Sequence, residues 1–316
     1  MSQLVFLDQA TLPDVDLHPL RQLPFQLCCY PQTQPSQVLE RLRPASVAIV
    51  NKVVLDAPLL AQLPALKLIC VTATGVNNVD LAAARQAGIM VCNARDYASQ
   101  AVPQHAMALL LGLANQIAAY QLAVQQGAWC RSPQFCWLGY PIQQLAGLNF
   151  TVVGYGGLGQ ATAQLAAAFG MKVLIAERPD SHHIRPGRLS FRQALQQADV
   201  VSLHCPATAD NLHLLNAQTL SWLKPSAMVI NTARGSLIDS AALADALKNK
   251  QLAGAALDVL DTEPPPSDHP LLQPDVPNLL LSPHVAWASQ QAMQALVAQT
   301  ADNIRSFLAG NPNRTC

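Results

Sequence analysis

An α/β fold of doubly wound parallel sheets, arranged in two domains, is what the sequence predicts, and three observations predict it. Short apolar runs alternate with helix-patterned segments along most of the chain. A glycine-spaced turn, GYGGLG at 154–159, joins a strand-like run to an alanine-rich helix. Four later apolar runs each stop at a cluster of polar residues. The chain has 316 residues, 51% hydrophobic and 12% charged, which gives two domains of ordinary size and ample core.

Taken in order, residues 4–7, 47–50, 68–71 and 89–92 read as strands, separated by helical stretches such as 80–87. Strand, helix, strand means parallel pairing through crossovers. An Ala/Leu-rich pattern over 100–126 predicts one long helix at a domain boundary, followed by an aromatic, proline-bearing loop at 129–141.

The sharpest local signal is LNFTVVGYGGLGQATAQLAAAFGMKVLIAER, in which Gly154, Gly156 and Gly159 have the GxGxxG spacing between strand and helix. The first glycine allows a tight turn, the second lets a pyrophosphate approach the backbone, and the third lets the helix pack closely on the strand. Amides at the helix start then face the phosphates. The next strand, 172–176, ends at Glu177, where an acid accepts hydrogen bonds from the adenine ribose hydroxyls; this favours NAD over NADP. Arg178, beside it, could receive a 2′-phosphate if Glu177 turned away.

After this the runs at 200–203, 228–231, 255–259 and 279–281 lead into HCP, TARG, LDTEP and SPH. A parallel sheet collects strand ends at one edge, so Arg234, Asp258, Glu263 and His284 can converge although far apart in sequence. Each alone is weak: such an arginine is usually a surface ion pair, an acid before proline is usually solvated, and an isolated histidine is usually structural. Together, beside a dinucleotide turn, they form a candidate site.

These residues sit in six ordered motifs: ATGVNNVD at 73–80, GYGGLG at 154–159, LHCPAT at 203–208, INTARGSLID at 230–239, ALDVLDTEP at 256–264 and SPHVAW at 282–287. Over nearly its full length the chain resembles the D-isomer-specific 2-hydroxyacid dehydrogenase family, most closely its glycerate dehydrogenase (hydroxypyruvate reductase) branch. The resemblance implies Arg234, Glu263 and His284 as catalytic residues, with Thr74, Gly75, Val76, Arg234 and His284 binding substrate. It implies NAD held by Gly154, Gly156, Gly157, Leu158, Gly159, Glu177, Arg178, Cys205, Pro206, Thr232 and Ala233, with Asp258 approaching the nicotinamide carboxamide. It also implies a Rossmann-type NAD-binding domain over 100–288 and a discontinuous, flavodoxin-like substrate domain from 1–99 and 289–316.

The chemistry agrees. Hydride delivery to the C2 carbonyl of a 2-oxo acid builds negative charge on oxygen, which calls for a proton donor and a cation. His284 is the expected acid/base, Glu263 its orienting carboxylate, and Arg234 the planar fork for the substrate carboxylate and carbonyl oxygen. Hydroxypyruvate is the expected substrate, with glyoxylate and 3-phosphohydroxypyruvate as alternatives; a different class, an NAD-sensing corepressor-like module, is distinguished by lack of turnover. Two positions depart from the family pattern. Gln104 stands where glutamate is usual, which removes a carboxylate, and Asn211 stands where threonine is common, without a functional reading.

Nineteen basic against nineteen acidic residues, without basic clusters, argue against nucleic acid as a partner. Eight cysteines (Cys28, Cys29, Cys70, Cys92, Cys130, Cys136, Cys205 and Cys316) form no CxxC pair, so reduced thiols and no metal are expected. MSQLVFLDQ lacks a basic n-region and a long apolar h-region, and the most apolar internal segment, 106–113, is too short for a bilayer; a cytoplasmic protein without a membrane partner is expected. The helix at 100–126, with Trp129, Phe135 and Trp137, carries surplus apolar surface that suits a homodimer.

Overall fold

The structure, a computed structural model, describes residues 2–179, 181 and 183–316. The chain divides into two compact units, one made of the residues up to Ala98 together with Ala288–Cys316, the other of Ser99–Trp287.

In the first unit, β1 (Gln3–Phe6), β2 (Gln26–Cys29), β3 (Ala45–Val50), β4 (Leu68–Val71) and β5 (Met90–Cys92) form one parallel sheet in the order β2-β1-β3-β4-β5. The inner strands β3 and β4 are apolar on both faces because helices cover both. The edge strand β2, QLCC, escapes a hydrophobicity reading because its ends are exposed and half of it is polar or weakly apolar. The carboxylate of Asp80 accepts from the amide of Ala83 and starts the helix Leu81–Gln86. Ser289 does the same for Gln290–Leu308, whose buried residues Ala292, Met293, Leu296, Val297, Thr300 and Ile304 follow three-four spacing. That helix is tied into this unit by Asn303, whose side-chain amide donates to the Asn93 carbonyl at 2.9 Å.

In the second unit, β6 (Asn149–Val153), β7 (Lys172–Ala176), β8 (Val200–Leu203), β9 (Met228–Asn231), β10 (Gly254–Leu257) and β11 (Leu279–Leu281) form a parallel sheet in the order β11-β10-β9-β8-β6-β7. Strand side chains alternate between faces, and the two cores show it. Val201, Leu203, Val229, Ala255 and Leu257 pack with Leu195, Leu243 and Leu247 on one face. Phe150, Val152, Val200, Met228, Ile230 and Ala256 pack with Leu110, Ala163 and Ala166 on the other. Each such fully buried large side chain contributes roughly 1.5–3 kcal/mol. Strand order reverses between β6 and β8, and the crevice outside the carboxyl ends there is where open α/β sheets bind ligands.

The single helix expected over 100–126 is two helices, Ala101–Ala114 and Ile117–Gln125, bent by 56°. Gln116 takes the left-handed conformation (φ +55°), and the side-chain amides of Asn115 and Gln116 donate to the carbonyls of Leu111 and Leu113. Carbonyls left over at the first helix's end are thereby satisfied. Neither sequence periodicity nor composition marks the break, since both halves remain Ala/Leu-rich. No single described helix is long and apolar enough to cross a membrane.

Candidate active site

The glycine turn after β6 is built by close backbone contacts. Gly154 has φ +92°, and a β-carbon there would lie 2.5 Å from the amide nitrogen of Cys205, so only glycine fits beside the end of β8. A β-carbon at Gly159 would lie 2.1 Å from the Gly154 carbonyl oxygen, which is the close helix–strand packing that the motif requires. By contrast, nothing lies within 4 Å of a β-carbon built at Gly156 or Gly157, so open space borders the first turn of the helix Gly157–Ala168. Leu158 and Pro206 are exposed and Cys205 half-buried along this rim. Asn211 holds the Pro206 loop: its side-chain amide donates to the Pro206 carbonyl at 2.8 Å and its oxygen accepts from the Thr208 amide at 2.7 Å. That supplies the structural reading the sequence lacked.

Glu177 follows β7 and is 2% exposed. Its carboxylate accepts from Arg185 Nε at 2.6 Å and Nη2 at 2.5 Å and from the Arg178 amide at 3.0 Å, with Arg188 Nη1 3.8 Å away. The Arg185 hydrogen bonds hold its pKa down at about 2 against the opposing effect of burial. The acid is turned inward and Arg178 lies exposed. The Arg185 partnership carries no sequence signal, because the pairing crosses a loop of no fixed pattern.

At the end of β9, the buried Asn231 organises the next turn. Its side-chain oxygen accepts from the Ala233 amide at 2.9 Å and its amide donates to the Arg234 carbonyl at 2.9 Å. Thr232 Oγ1 is buried without a hydrogen-bond partner, an orphaned polar atom of the kind a bound ligand satisfies. Arg234 projects outward, with Nη1 donating to the Ala233 carbonyl at 2.7 Å.

Asp258, one residue past β10 and 1% exposed, fastens the turn that carries His284. Its carboxylate accepts from Ser282 Oγ at 2.5 Å and from the amides of Val285 and Ala286 at 2.9 and 2.8 Å, while its carbonyl accepts from the His284 amide at 2.7 Å. Because Ser282 spends its proton on Asp258, His105 Nε2, 2.9 Å from Ser282 Oγ, must be the donor in that contact. Neither Ser282, in the SPHVAW motif, nor His105 was a candidate from the sequence, since neither residue type suggests a carboxylate clamp.

His284 and Glu263 are brought together across 21 residues: His284 Nδ1 lies 2.6 Å from Glu263 Oε2, and Glu263 Oε1 accepts from the Leu260 amide at 3.0 Å. Nδ1 therefore carries the proton in this contact, and Trp287 Nε1 donates to the His284 carbonyl at 2.9 Å. In the other unit the Thr74–Val76 loop follows β4; Asn93 donates to the Thr74 carbonyl at 2.8 Å and the Val79 amide to that of Val76 at 3.0 Å.

The open helix start after β6 and the orphaned hydroxyl after β9 fit a dinucleotide. Comparison with known proteins agrees. Residues 107–286 match the D-isomer specific 2-hydroxyacid dehydrogenase, NAD binding domain. The chain is 43% identical to a glycerate dehydrogenase of Methylorubrum extorquens over 98% of its own length and 97% of the relative's. It is 33% identical to a hydroxypyruvate reductase of Blautia hydrogenotrophica, covering 89% and 87%. The crystal structure of the TT0316 protein from Thermus thermophilus superposes with a TM-score of 0.85 at 32% identity, over 100% of this chain and 99% of that one. The two parallel sheets, the NAD-binding fold and the six motifs thus have one account: the chain belongs to the D-isomer-specific 2-hydroxyacid dehydrogenases, NAD-dependent oxidoreductases acting on small 2-hydroxy and 2-oxo acids.

Proposed function

We propose that the physiological substrate pair is hydroxypyruvate and D-glycerate, and that Arg234, Glu263 and His284 carry the reaction. The observation that bears most weight is the 2.6 Å contact between His284 Nδ1 and Glu263 Oε2, on a turn fastened by Asp258. The relatives named for glycerate and hydroxypyruvate support the substrate.

NADH, when bound, supplies the hydride that reduces the C2 carbonyl. Glu263 accepts from Nδ1 and so orients the imidazole, leaving Nε2 to deliver a proton to the carbonyl oxygen as charge builds there. Arg234 binds the carboxylate and the carbonyl oxygen through its planar fork and holds the reacting carbon in place. The amides of Thr74, Gly75 and Val76 bind the substrate carboxylate. Asp258 acts first on the chain itself, by holding the His284 turn; its role toward the carboxamide belongs to the same proposal. The helix start at Gly156–Gly159, with Leu158, receives the pyrophosphate, and Cys205, Pro206, Thr232 and Ala233 line the path of the cofactor. To accept from the adenine ribose and favour NADH over NADPH, the inward-turned Glu177 exchanges a hydrogen bond from Arg185 for one from the ribose, with Arg178 beside it at the cofactor's rim.

The protein works in the cytoplasm as a homodimer in this reading. Support for the dimer is a run of exposed apolar side chains in one stretch, Ile117, Leu122, Trp129, Phe135, Leu138 and Ile142, with Phe135 at 92% and Leu138 at 82% exposure. Trp137 is not part of that surplus, because it packs edge-on against Tyr120 and Tyr140 at 5.8 and 5.6 Å.

The test is the initial rate of NADH oxidation with hydroxypyruvate, beside glyoxylate, pyruvate and 3-phosphohydroxypyruvate, and with NADPH in place of NADH. Hydroxypyruvate with NADH should show the highest kcat/KM, and His284→Ala should lower turnover by about a hundredfold to ten-thousandfold with NADH still bound. A higher kcat/KM for another 2-oxo acid would overturn the substrate; near-normal turnover in His284→Ala would overturn the acid/base.

A further inference from the structure

The loop that carries Glu263 is gripped from a side that the chemistry does not use. Asp261, two residues before Glu263, accepts through Oδ1 from Ser240 Oγ at 2.6 Å and from His269 Nε2 at 2.9 Å. His269 is only 4% exposed, and its Nδ1 accepts from the Leu271 amide at 3.2 Å. Nδ1 is therefore the unprotonated nitrogen, and the ring meets Asp261 as an Nε2–H donor. The three residue types are those of a nucleophilic triad, but the order of bonds differs. Ser240 donates to the carboxylate instead of to the imidazole, so no base activates its hydroxyl.

What the cluster does is join two loops. Ser240 opens the helix Ser240–Lys248, six residues after Arg234. Between them Gly235 lies directly against the peptide that precedes Asp261: a β-carbon at Gly235 would stand 1.8 Å from the Leu260 carbonyl carbon and 2.3 Å from the Asp261 nitrogen. The amide of the same Leu260 donates to Glu263 Oε1, and Glu263 Oε2 meets His284. A continuous line of contacts thus runs from His269 and Ser240, through Asp261 and the Leu260–Asp261 peptide, to Glu263 and His284. We infer that Asp261 is a positioning residue for the reaction: held by Ser240 and His269, it fixes the 258–264 loop on the Arg234–Gly235 turn and so sets the alignment of the Glu263–His284 pair. A carboxylate two residues away from the chemistry is suited to this, because small misplacements of a catalytic group cost large factors in rate.

The inference rests on Arg234, Glu263 and His284 being the catalytic residues, so the experiment includes a control for that reading. Asp261→Ala and Ser240→Ala are made in the full chain and measured beside wild type and His284→Ala. The NADH dissociation constant should stay within about twofold of wild type, because the glycine turn and Glu177 share no partner with Asp261. With hydroxypyruvate, kcat/KM should fall about tenfold to a hundredfold for Asp261→Ala and less for Ser240→Ala. Asp261→Asn, which keeps an acceptor oxygen for Ser240 and His269, should recover most of the kcat/KM lost in Asp261→Ala. Wild-type kcat/KM in Asp261→Ala, or Asp261→Asn as impaired as Asp261→Ala, would overturn the positioning role. Should Asp261→Ala fail to fold, Ser240→Ala decides: an unchanged kcat/KM, or a fall in kcat/KM matched by an equal weakening of NADH binding, overturns the role. Full activity in His284→Ala would instead bring down the catalytic reading on which this one stands.

Discussion

His284 holds a backbone conformation that few non-glycine residues adopt, with φ at +55°. It is held there by hydrogen bonds from its amide to the Asp258 and Ser282 carbonyls, and by Asp258 accepting from the next two amides. Strained backbone of this kind persists where the surroundings over-determine it, and such places are often functional. A second histidine shows how burial alone changes chemistry. His204, at the end of β8 and 2.8 Å from Ser202 Oγ, has its pKa lowered to about 4 by desolvation, from an ordinary 6.5. In the unfolded chain it takes up a proton below about 6.5, while the folded state resists until about 4. Its contribution to stability is therefore complete above 6.5 and is lost as pH falls to about 4. Thermal unfolding across this interval should show a smaller acid-side drop in Tm for His204→Gln than for wild type; equal drops would show that other groups set the acid limit.

Among the elements, the glycine turn illustrates how little freedom a strand–turn–helix unit has when its backbone must approach a ligand. Gly159→Ala would force its new methyl group into the Gly154 carbonyl, and neither backbone segment can yield without moving the helix start. Overpacking of this sort costs about 1–3 kcal/mol, so NADH binding, followed by fluorescence titration, should weaken about tenfold or more. Unchanged affinity would mean that the helix shifts without cost to the cofactor. Most strands were legible because they are apolar runs that end at turn residues: 68–71, 172–176, 200–203, 228–231 and 279–281 match β4, β7, β8, β9 and β11 residue for residue, and β4, β8 and β9 are buried throughout. The edge strand β2 and the helix break were not legible. β2 is an edge strand with exposed ends, and the break at Asn115–Gln116 depends on side chains turning back to cap a helix, which leaves no mark on hydropathy.

For the molecule as a whole, the exposed apolar stretch from Ile117 to Ile142 is the feature that a lone chain explains least. If the proposed dimer forms through this surface, wild type should sediment at twice the single-chain mass, and replacing Phe135 and Leu138 together by aspartate should bring it to the single-chain mass; an unchanged mass would remove this surface from the interface. The sequence by itself determined the fold class, the nucleotide turn and the identity of the residues proposed for catalysis. These depend on local periodicity, on glycines whose spacing reflects backbone geometry, and on polar residues that end buried strands. Only the tertiary structure decided the partnerships: Arg185 with Glu177, Asp258 with the His284 turn, Asn231 with the Arg234 turn, and Asp261 with Ser240 and His269. The physical reason is that hydrogen bonds between loops depend on which strand ends lie side by side, and that order, β11-β10-β9-β8-β6-β7, is set by packing across the whole sheet.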